Sequence, residues 1–295
     1  MRSTAFLSIF IALSSTAAIA QGAVWLKIAE LKPSHEVNLA GFVDEKRGIT
    51  AGYAGATYYS EDGGGTWIKA DHASMCRFGL EILDGGAAIT CGNGGNNRTS
   101  SDGGKTWVPM ENRGPSEPDN FRFLSFSSVK EGWAAGPFML SSTSDGGAAW
   151  SDIKLPEGIE RIAAIALLPG GMGKAGFFLG SKGELYSTLD GGATWSKKPI
   201  AVKEGQIAYF NKSNDAPSAA LRFANHEEGI AVAYMTGPKA RWVALNTRDA
   251  GDTWSVEEIT ADIGPKSSAS LSQDGLCATL YYSHRILVFK RSAGF

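Results

Sequence analysis

The sequence predicts an all-β protein, a single β-propeller of four-stranded antiparallel blades, and three observations lead to this fold. An eight-residue motif recurs five times along the chain. The aspartates of its copies lie 40, 43, 45 and 59 residues apart, and the shorter spacings match one four-stranded blade per repeat. Between the motifs, an apolar residue precedes two glycines by six and ten residues, as at Phe42, Gly48 and Gly52. We expect six blades, or seven if residues 196–217 contain further strands.

The recurring motif reads Ser/Thr-x-Asp-x-Gly-x-Thr-Trp, the pattern of an Asp box, and Ala149 is its one clear departure. The aspartate carboxylate can accept hydrogen bonds from backbone N–H groups just ahead of it, which fixes a tight turn. The glycine tolerates the positive φ of such a turn. The tryptophan begins the next strand and buries a large ring. We therefore assign these residues to structure and not to catalysis: Asp62, Trp67, Asp102, Trp107, Asp145, Trp150, Asp190, Trp195, Asp249 and Trp254.

The first twenty residues have the features of a cleaved signal peptide. Arg2 provides the positive start, an apolar stretch follows, and Ala18-Ile19-Ala20 places small residues before a cleavage site at Gln21. The alternative is a membrane anchor, but three hydroxyl residues (14–16) end the apolar run too early to span a bilayer. The predicted organisation is a signal peptide over 1–20 and a propeller domain over 21–295, which is secreted or periplasmic and has no membrane span.

The last repeat lacks the motif, and the N-terminus is predicted to complete it. Residues 269–271, 276–282 and 286–290 have the composition of three strands, and 24–28 can supply the fourth. This arrangement would close the ring and leave no exposed edge between the first and last blades. We expect Val24, Leu26 and Ile28 to face the core, with Lys27 on the opposite face.

Composition excludes some partners and leaves the thiol chemistry open. The formal net charge of -2 gives no general attraction for nucleic acid or anionic lipid. The histidines are scattered without metal-ligand spacing, so we predict no metal and no cofactor. Of the three cysteines, Cys76 and Cys91 flank a hairpin-like turn. They either form a disulfide in an oxidising compartment or remain two buried thiols.

Residues 42–52, running into the first motif, resemble the photosystem II stability/assembly factor family of Asp-box propellers. Residues 126–136, with Glu131-Gly132-Trp133-Ala134-Ala135-Gly136, repeat the resemblance. The resemblance implies an exported, non-enzymatic protein that binds or helps to assemble other proteins. We expect this chain to be a monomer that engages a protein or cell-envelope partner. In photosynthetic members of that family a basic patch is implicated in partner binding.

The sialidase propellers, which also carry Asp boxes, provide the alternative function, a glycoside hydrolase. That family has an Arg-Ile-Pro motif before its first box, whereas residues 37–43 contain no arginine. Its nucleophilic tyrosine would fall near Lys266, and Tyr281 and Tyr282 come too late in the blade. These departures lead us to assign no catalytic residue.

Four arginines near the innermost strands are the candidate ligand- or partner-binding residues. Arg77, Arg122 and Arg222 fall where such a strand begins or runs, and Arg161 starts another. Because innermost strands line the central channel, these guanidinium groups could converge on an anionic ligand. Their offsets from the repeat pattern mix odd and even values, so they form no aligned ring. The alternative is that each arginine pairs with a nearby acid such as Glu81.

Overall fold

The protein is described by a computed structural model that covers most of the chain after residue 23. The described residues are 24–31, 37–44, 46–52, 55–71, 79–92, 97–110, 121–170, 173–202, 206–208, 219–264, 267–282 and 285–292. They form 25 strands in six antiparallel sheets, which are arranged as the six blades of a propeller. The predicted all-β fold and the predicted number of blades are confirmed.

Blades 1 to 4 each contain four strands that follow one another along the chain, from the channel outward. Blade 1 contains β2 (Val37–Phe42), β3 (Gly48–Gly52), β4 (Tyr58–Ser60) and β5 (Ile68–Lys69). Blade 2 contains β6 (Gly79–Ile82), a 3₁₀ turn (Asp84–Gly86), β7 (Ala88–Cys91), β8 (Arg98–Ser100) and β9 (Val108–Pro109). Blade 3 contains β10 (Phe123–Phe126), β11 (Gly132–Ala135), β12 (Leu140–Thr143) and β13 (Ser151–Ile153). Blade 4 contains β14 (Ile162–Leu167), β15 (Gly176–Gly180), β16 (Glu184–Thr188) and β17 (Ser196–Pro199).

Blade 5 has the same order of strands and one addition. It contains β18 (Gln206–Ala208), β19 (Ala220–Phe223), β20 (Gly229–Thr236), β21 (Arg241–Thr247) and β22 (Ser255–Ile259). Both β18 and β19 pair with β20, one beyond the other along the same edge. The segment that raised the possibility of a seventh blade therefore contributes β17 to blade 4 and β18 to blade 5 among its described residues.

Blade 6 is built from both ends of the chain. Its strands are β23 (Ser268–Leu271), β24 (Cys277–Tyr282), β25 (Arg285–Arg291) and, outermost, β1 (Trp25–Leu31). β1 runs antiparallel to β25, with Trp25 opposite Arg291 and Leu31 opposite Ile286. The predicted closure of the last blade by the N-terminal strand is confirmed.

The predicted orientation of this closing strand is wrong. Trp25 is buried, at 4% exposure, against blade 5, whereas Val24, Leu26 and Ile28 are 45%, 56% and 48% exposed. Apolar residues occupy both faces of the segment, so alternation alone did not identify the buried one. The buried face is set by the pairing of β1 with β25, in which Trp25 lies opposite Arg291 and the register shifts between Lys27 and Ala29.

The antiparallel order of the strands gives the ring two different ends. The turns between first and second strands and the Asp-motif turns lie at one end, which we call the motif end. The turns between second and third strands and the connections between blades lie at the other, which we call the linker end. Among the described residues, no helix has the length and apolar character needed to cross a membrane.

Candidate functional site

The five motif aspartates lie in the turns between the third and fourth strands of blades 1 to 5. In the first turn, the Thr66 amide donates to Asp62 Oδ1 at 2.8 Å and the Thr66 hydroxyl donates to Asp62 Oδ2 at 2.7 Å. The Ser60 hydroxyl donates to Asp62 Oδ1 at 2.9 Å and accepts from the Gly64 amide at 2.8 Å. Each carboxylate is therefore engaged within its own turn, and the same contacts recur around Asp102, Asp190 and Asp249.

The same hydrogen bonds keep these carboxylates ionised. Donation from the backbone and hydroxyl of Thr66 lowers the pKa of Asp62 to about 2. Thr194 and Thr253 lower the pKa of Asp190 and Asp249 to about 2 in the same way. These values are far below the range of a general acid at neutral pH, so the turn geometry alone accounts for the aspartates.

Each motif tryptophan packs in a cluster with the preceding blade of the ring. Trp107 of blade 2 is 1% exposed and lies with Ile49 and Ala70 of blade 1. The other four follow the same rule, each against the preceding blade: Trp67, Trp150, Trp195 and Trp254. The tryptophans thus contribute to the contacts between blades.

A cavity of about 60 Å³ lies on the ring axis, lined by all six innermost strands. The penultimate residue of each of these strands occupies the same register position. Those residues are Gly41, Glu81, Ser125, Ala166, Arg222 and Ser270. The cavity is well below the roughly 300–1,000 Å³ of typical small-molecule sites. It therefore has room for a small polar group and not for a sugar ring.

Two of these six positions carry opposite charges, and they meet across the axis. Glu81 of blade 2 and Arg222 of blade 5 come from opposite sides of the ring, and Arg222 Nη2 donates to Glu81 Oε2 at 2.6 Å. Their side chains are 2% and 16% exposed. Gln273 Nε2 donates to the second oxygen, Glu81 Oε1, at 2.9 Å. Burial raises the pKa of Glu81, and the charge and hydrogen bond of Arg222 oppose that shift.

The four candidate arginines occupy different places. Arg222 is engaged in the axial ion pair, and Arg122 lines the same cavity from the linker end of β10. Arg161 lies outside the cavity, between blades 3 and 4, with its guanidinium carbon 5.5 Å from the centre of the Phe138 ring. Arg77 lies outside the described residues. Arg122 and Arg222 are thus brought together, and Arg161 is not.

Phe138 is a surface residue that the sequence patterns did not single out. It lies at the tip of the turn between β11 and β12 and is 69% exposed. Two backbone hydrogen bonds hold the turn: the Gly136 amide donates to the Met139 carbonyl, and the Ile162 amide donates to the Pro137 carbonyl. Pro137 also fixes its own φ. A constrained turn therefore presents an exposed aromatic ring beside Arg161 at the linker end.

Cys91 and Tyr281 are both buried. Cys91 is buried and its Sγ donates to the Phe121 carbonyl at 3.7 Å, whereas Cys76 lies outside the described residues. A disulfide between the two and a pair of buried thiols both stay predictions. In the last blade Tyr281 is 4% exposed on β24, and burial raises its pKa. Tyr281 is therefore poorly placed to act as a nucleophile on a substrate at the surface.

Comparison with known proteins gives one sequence match and several fold matches. No family model matches the chain. The chain is 31% identical over 138 residues to the chloroplastic photosystem II stability/assembly factor HCF136 of Oryza sativa subsp. japonica. The match covers 44% of this chain, and it spans only 30% of the length of that relative.

The fold matches cover nearly the whole chain at low identity. A solved structure of YCF48 bound to a D1 peptide aligns with a TM-score of 0.52 and 15% identity, over 92% of this chain and 95% of that one. The GH74 enzyme of Niastella koreensis aligns with a TM-score of 0.53 and 13% identity, over 86% of this chain and 45% of that one. At these identities the likeness establishes the propeller fold, and the chain is similar to photosystem II assembly factors in both sequence and fold.

Proposed function

We propose that this chain is exported through a signal peptide over 1–20 and acts as a non-catalytic, assembly-factor-like propeller. Its linker end binds a segment of a protein or cell-envelope partner. The exposed Phe138 ring beside Arg161 is the observation that carries the proposal. The similarity to a photosystem II assembly factor and to YCF48 bound to a peptide supports it.

The chemistry of this surface suits protein recognition. Aromatic residues and arginine are enriched among residues that contribute most to protein–protein affinity. An arginine beside an aromatic ring gains a cation–π attraction that also holds the two side chains in place. Because the turn is held by backbone hydrogen bonds and Pro137, little conformational entropy is lost when the ring is covered. A partner segment with an apolar anchor and an acidic residue matches both groups.

The proposal is tested by crosslinking the tagged mature protein in its native host and mapping the crosslinked residues. We expect crosslinks between one identified protein and residues near 136–139 and 160–162. Phe138→Ala should reduce capture of that protein at least tenfold. The matched control is Val129→Ala, because Val129 is also exposed on a turn but lies at the motif end. Equal capture by wild type and Phe138→Ala, or crosslinks confined to the motif end, would refute the proposed surface.

A further inference from the structure

The guanidinium of Arg222 is only partly used by its contacts within the ring. Nη2 donates to Glu81 at 2.6 Å and to the Leu271 carbonyl at 3.5 Å, and Nη1 donates to the Leu221 carbonyl at 3.5 Å. Nε is buried and has no hydrogen-bond partner among the described residues. A guanidinium has five N–H donors, and a buried donor that is left unpaired is costly. Arg222 Nε–H is therefore a buried donor that no acceptor of the described ring satisfies.

Glu81 does not supply that acceptor in this arrangement. Its Oε2 accepts from Arg222 Nη2, and its Oε1 accepts from the side-chain amide of Gln273. Gln273 also donates to the Phe126 carbonyl at 3.2 Å, which fixes it in place. The carboxylate thus binds Arg222 through a single oxygen, although arginine commonly binds carboxylates through two parallel hydrogen bonds.

The cavity that Arg222 lines has a definite size and lining. The axial cavity is about 60 Å³, and Arg122, Arg222 and Glu81 are its charged lining residues within the described chain. Such a volume holds a few water molecules or one carboxylate group.

We propose that the axial cavity is an anion site that takes one carboxylate group, bound by the Nε–H edge of Arg222 beside Glu81. The carboxylate belongs either to a free small acid or to an acidic group of a bound protein segment. The second source rests on the proposed function, whereas the site itself does not.

Acetate is the probe for the site, and thermal unfolding is the readout. At constant ionic strength, replacing chloride by acetate should raise the melting temperature of the mature protein in a saturable manner, because a ligand that binds only the folded state stabilises it. Glu81→Gln removes the competing internal carboxylate and should lower the apparent Kd for acetate severalfold. Arg222→Gln should abolish the acetate effect. Arg47→Gln, which removes an exposed guanidinium that is paired with Asp44 outside the cavity, should leave it unchanged.

Peptide probes distinguish the two sources of the carboxylate. Acetyl-Ala-Ala with a free C-terminus and acetyl-Glu amide are compared with acetyl-Ala-Ala amide, which has no charge. Stabilisation by the acidic peptides and not by the amide supports an acidic group of a partner segment; stabilisation by acetate alone supports a free small acid. The site is refuted if acetate has no saturable effect, if Glu81→Gln leaves the affinity for acetate unchanged, or if the uncharged peptide stabilises equally. The Glu81→Gln comparison keeps the test decisive even if Arg222→Gln fails to fold.

Discussion

Blade 6 and the five motif blades each pack a tryptophan against the preceding blade, but different residues hold that tryptophan in place. In blades 1 to 5 an Asp-motif turn joins the third and fourth strands and places a tryptophan against the preceding blade. In blade 6 the third strand, β25, is near the C-terminus and the fourth, β1, is near the N-terminus, so no turn joins them. Trp25 nevertheless packs against Trp242 and Ile259 of blade 5, as each motif tryptophan packs against its own preceding blade.

The hydrogen bonds of the missing turn are replaced by longer-range contacts. Trp25 Nε1 donates to Glu257 of blade 5 at 2.9 Å, and Arg291 donates to both oxygens of the same carboxylate. The chain ends are joined directly, because the Ser292 amide donates to the Val24 carbonyl and the Val24 amide donates to the Ser292 hydroxyl. A tryptophan packed against the preceding blade thus recurs at the outer corner of every blade, and the motif turn is one of two ways to hold it.

Among the changes that test this difference between blade 6 and the other blades, removal of β1 should cause the largest loss of stability. Deletion of residues 24–31 from a protein that begins at residue 21 leaves blade 6 with three strands and with β25 as an exposed edge. We expect loss of cooperative unfolding or a large fall in melting temperature, measured by circular dichroism against the same protein without the deletion. An unchanged melting temperature would mean that β1 does not close the ring.

The tryptophan of blade 6 should matter as much as a motif tryptophan. Trp25→Ala and Trp107→Ala should each lower the free energy of unfolding by about 3–5 kcal/mol, because both rings are almost fully buried. Leu26→Ala is the control, since Leu26 is 56% exposed and its loss should change stability by less than about 0.5 kcal/mol. Urea unfolding of the three variants measures these values. A larger loss of unfolding free energy for Leu26→Ala than for Trp25→Ala would show that β1 buries its other face.

The charged contact between blades 5 and 6 should have an intermediate effect. Glu257→Gln removes the ion pair with Arg291 while keeping an acceptor for Trp25, and should cost about 1–3 kcal/mol of unfolding free energy. Glu258→Gln is the matched control on the same strand. Its carboxylate is 58% exposed and lies 3.5 Å from Arg241, so we expect little change. Equal losses in the two variants, measured by urea unfolding, would show that the contact with Arg291 is unimportant.

The substitution with the smallest predicted effect on stability is the one that restores the consensus threonine in the incomplete motif. Ala149→Thr supplies the hydroxyl that donates to the aspartate in the other four copies. We expect a small rise in melting temperature, and a shift of the Asp145 pKa further below its usual 3.8. Ala148→Thr, at a position where the motif requires no hydroxyl, is the control.

The stability that Ala149→Thr adds should depend on pH. A carboxylate with a lowered pKa in the folded state contributes stability above its unfolded pKa, and loses that contribution as pH falls through the folded pKa. The advantage of Ala149→Thr should therefore be complete above about pH 4 and be lost as the pH falls through the lowered pKa of folded Asp145, as followed by thermal unfolding and by NMR titration of Asp145. An advantage that does not depend on pH would point to a cause other than the carboxylate.

Local patterns made most of the fold predictable. The hydrogen bonds of a motif turn join residues two to four positions apart, so the sequence contains both partners of each bond. The axial ion pair is different, because Arg222 and Glu81 are 141 residues apart. One feature of the sequence does point to it: Glu81 precedes Ile82 as Arg222 precedes Phe223, at the same place in the repeat. Phe138 has no comparable pattern, since its exposure depends on how blades 3 and 4 meet.

The sequence by itself determined the propeller and the strand that closes it, and it favoured six blades over seven, because repeats of local turns and short strands dictate these features. The tertiary structure alone decided which face of β1 is buried. Both faces are apolar, and only the pairing with β25 and the space beside blade 5 select Trp25 over Leu26 and Ile28. It also decided that Arg122 and Arg222 share the axial cavity while Arg161 lies outside it. Distances across a ring depend on how the blades are arranged around the axis, and no local pattern specifies that arrangement.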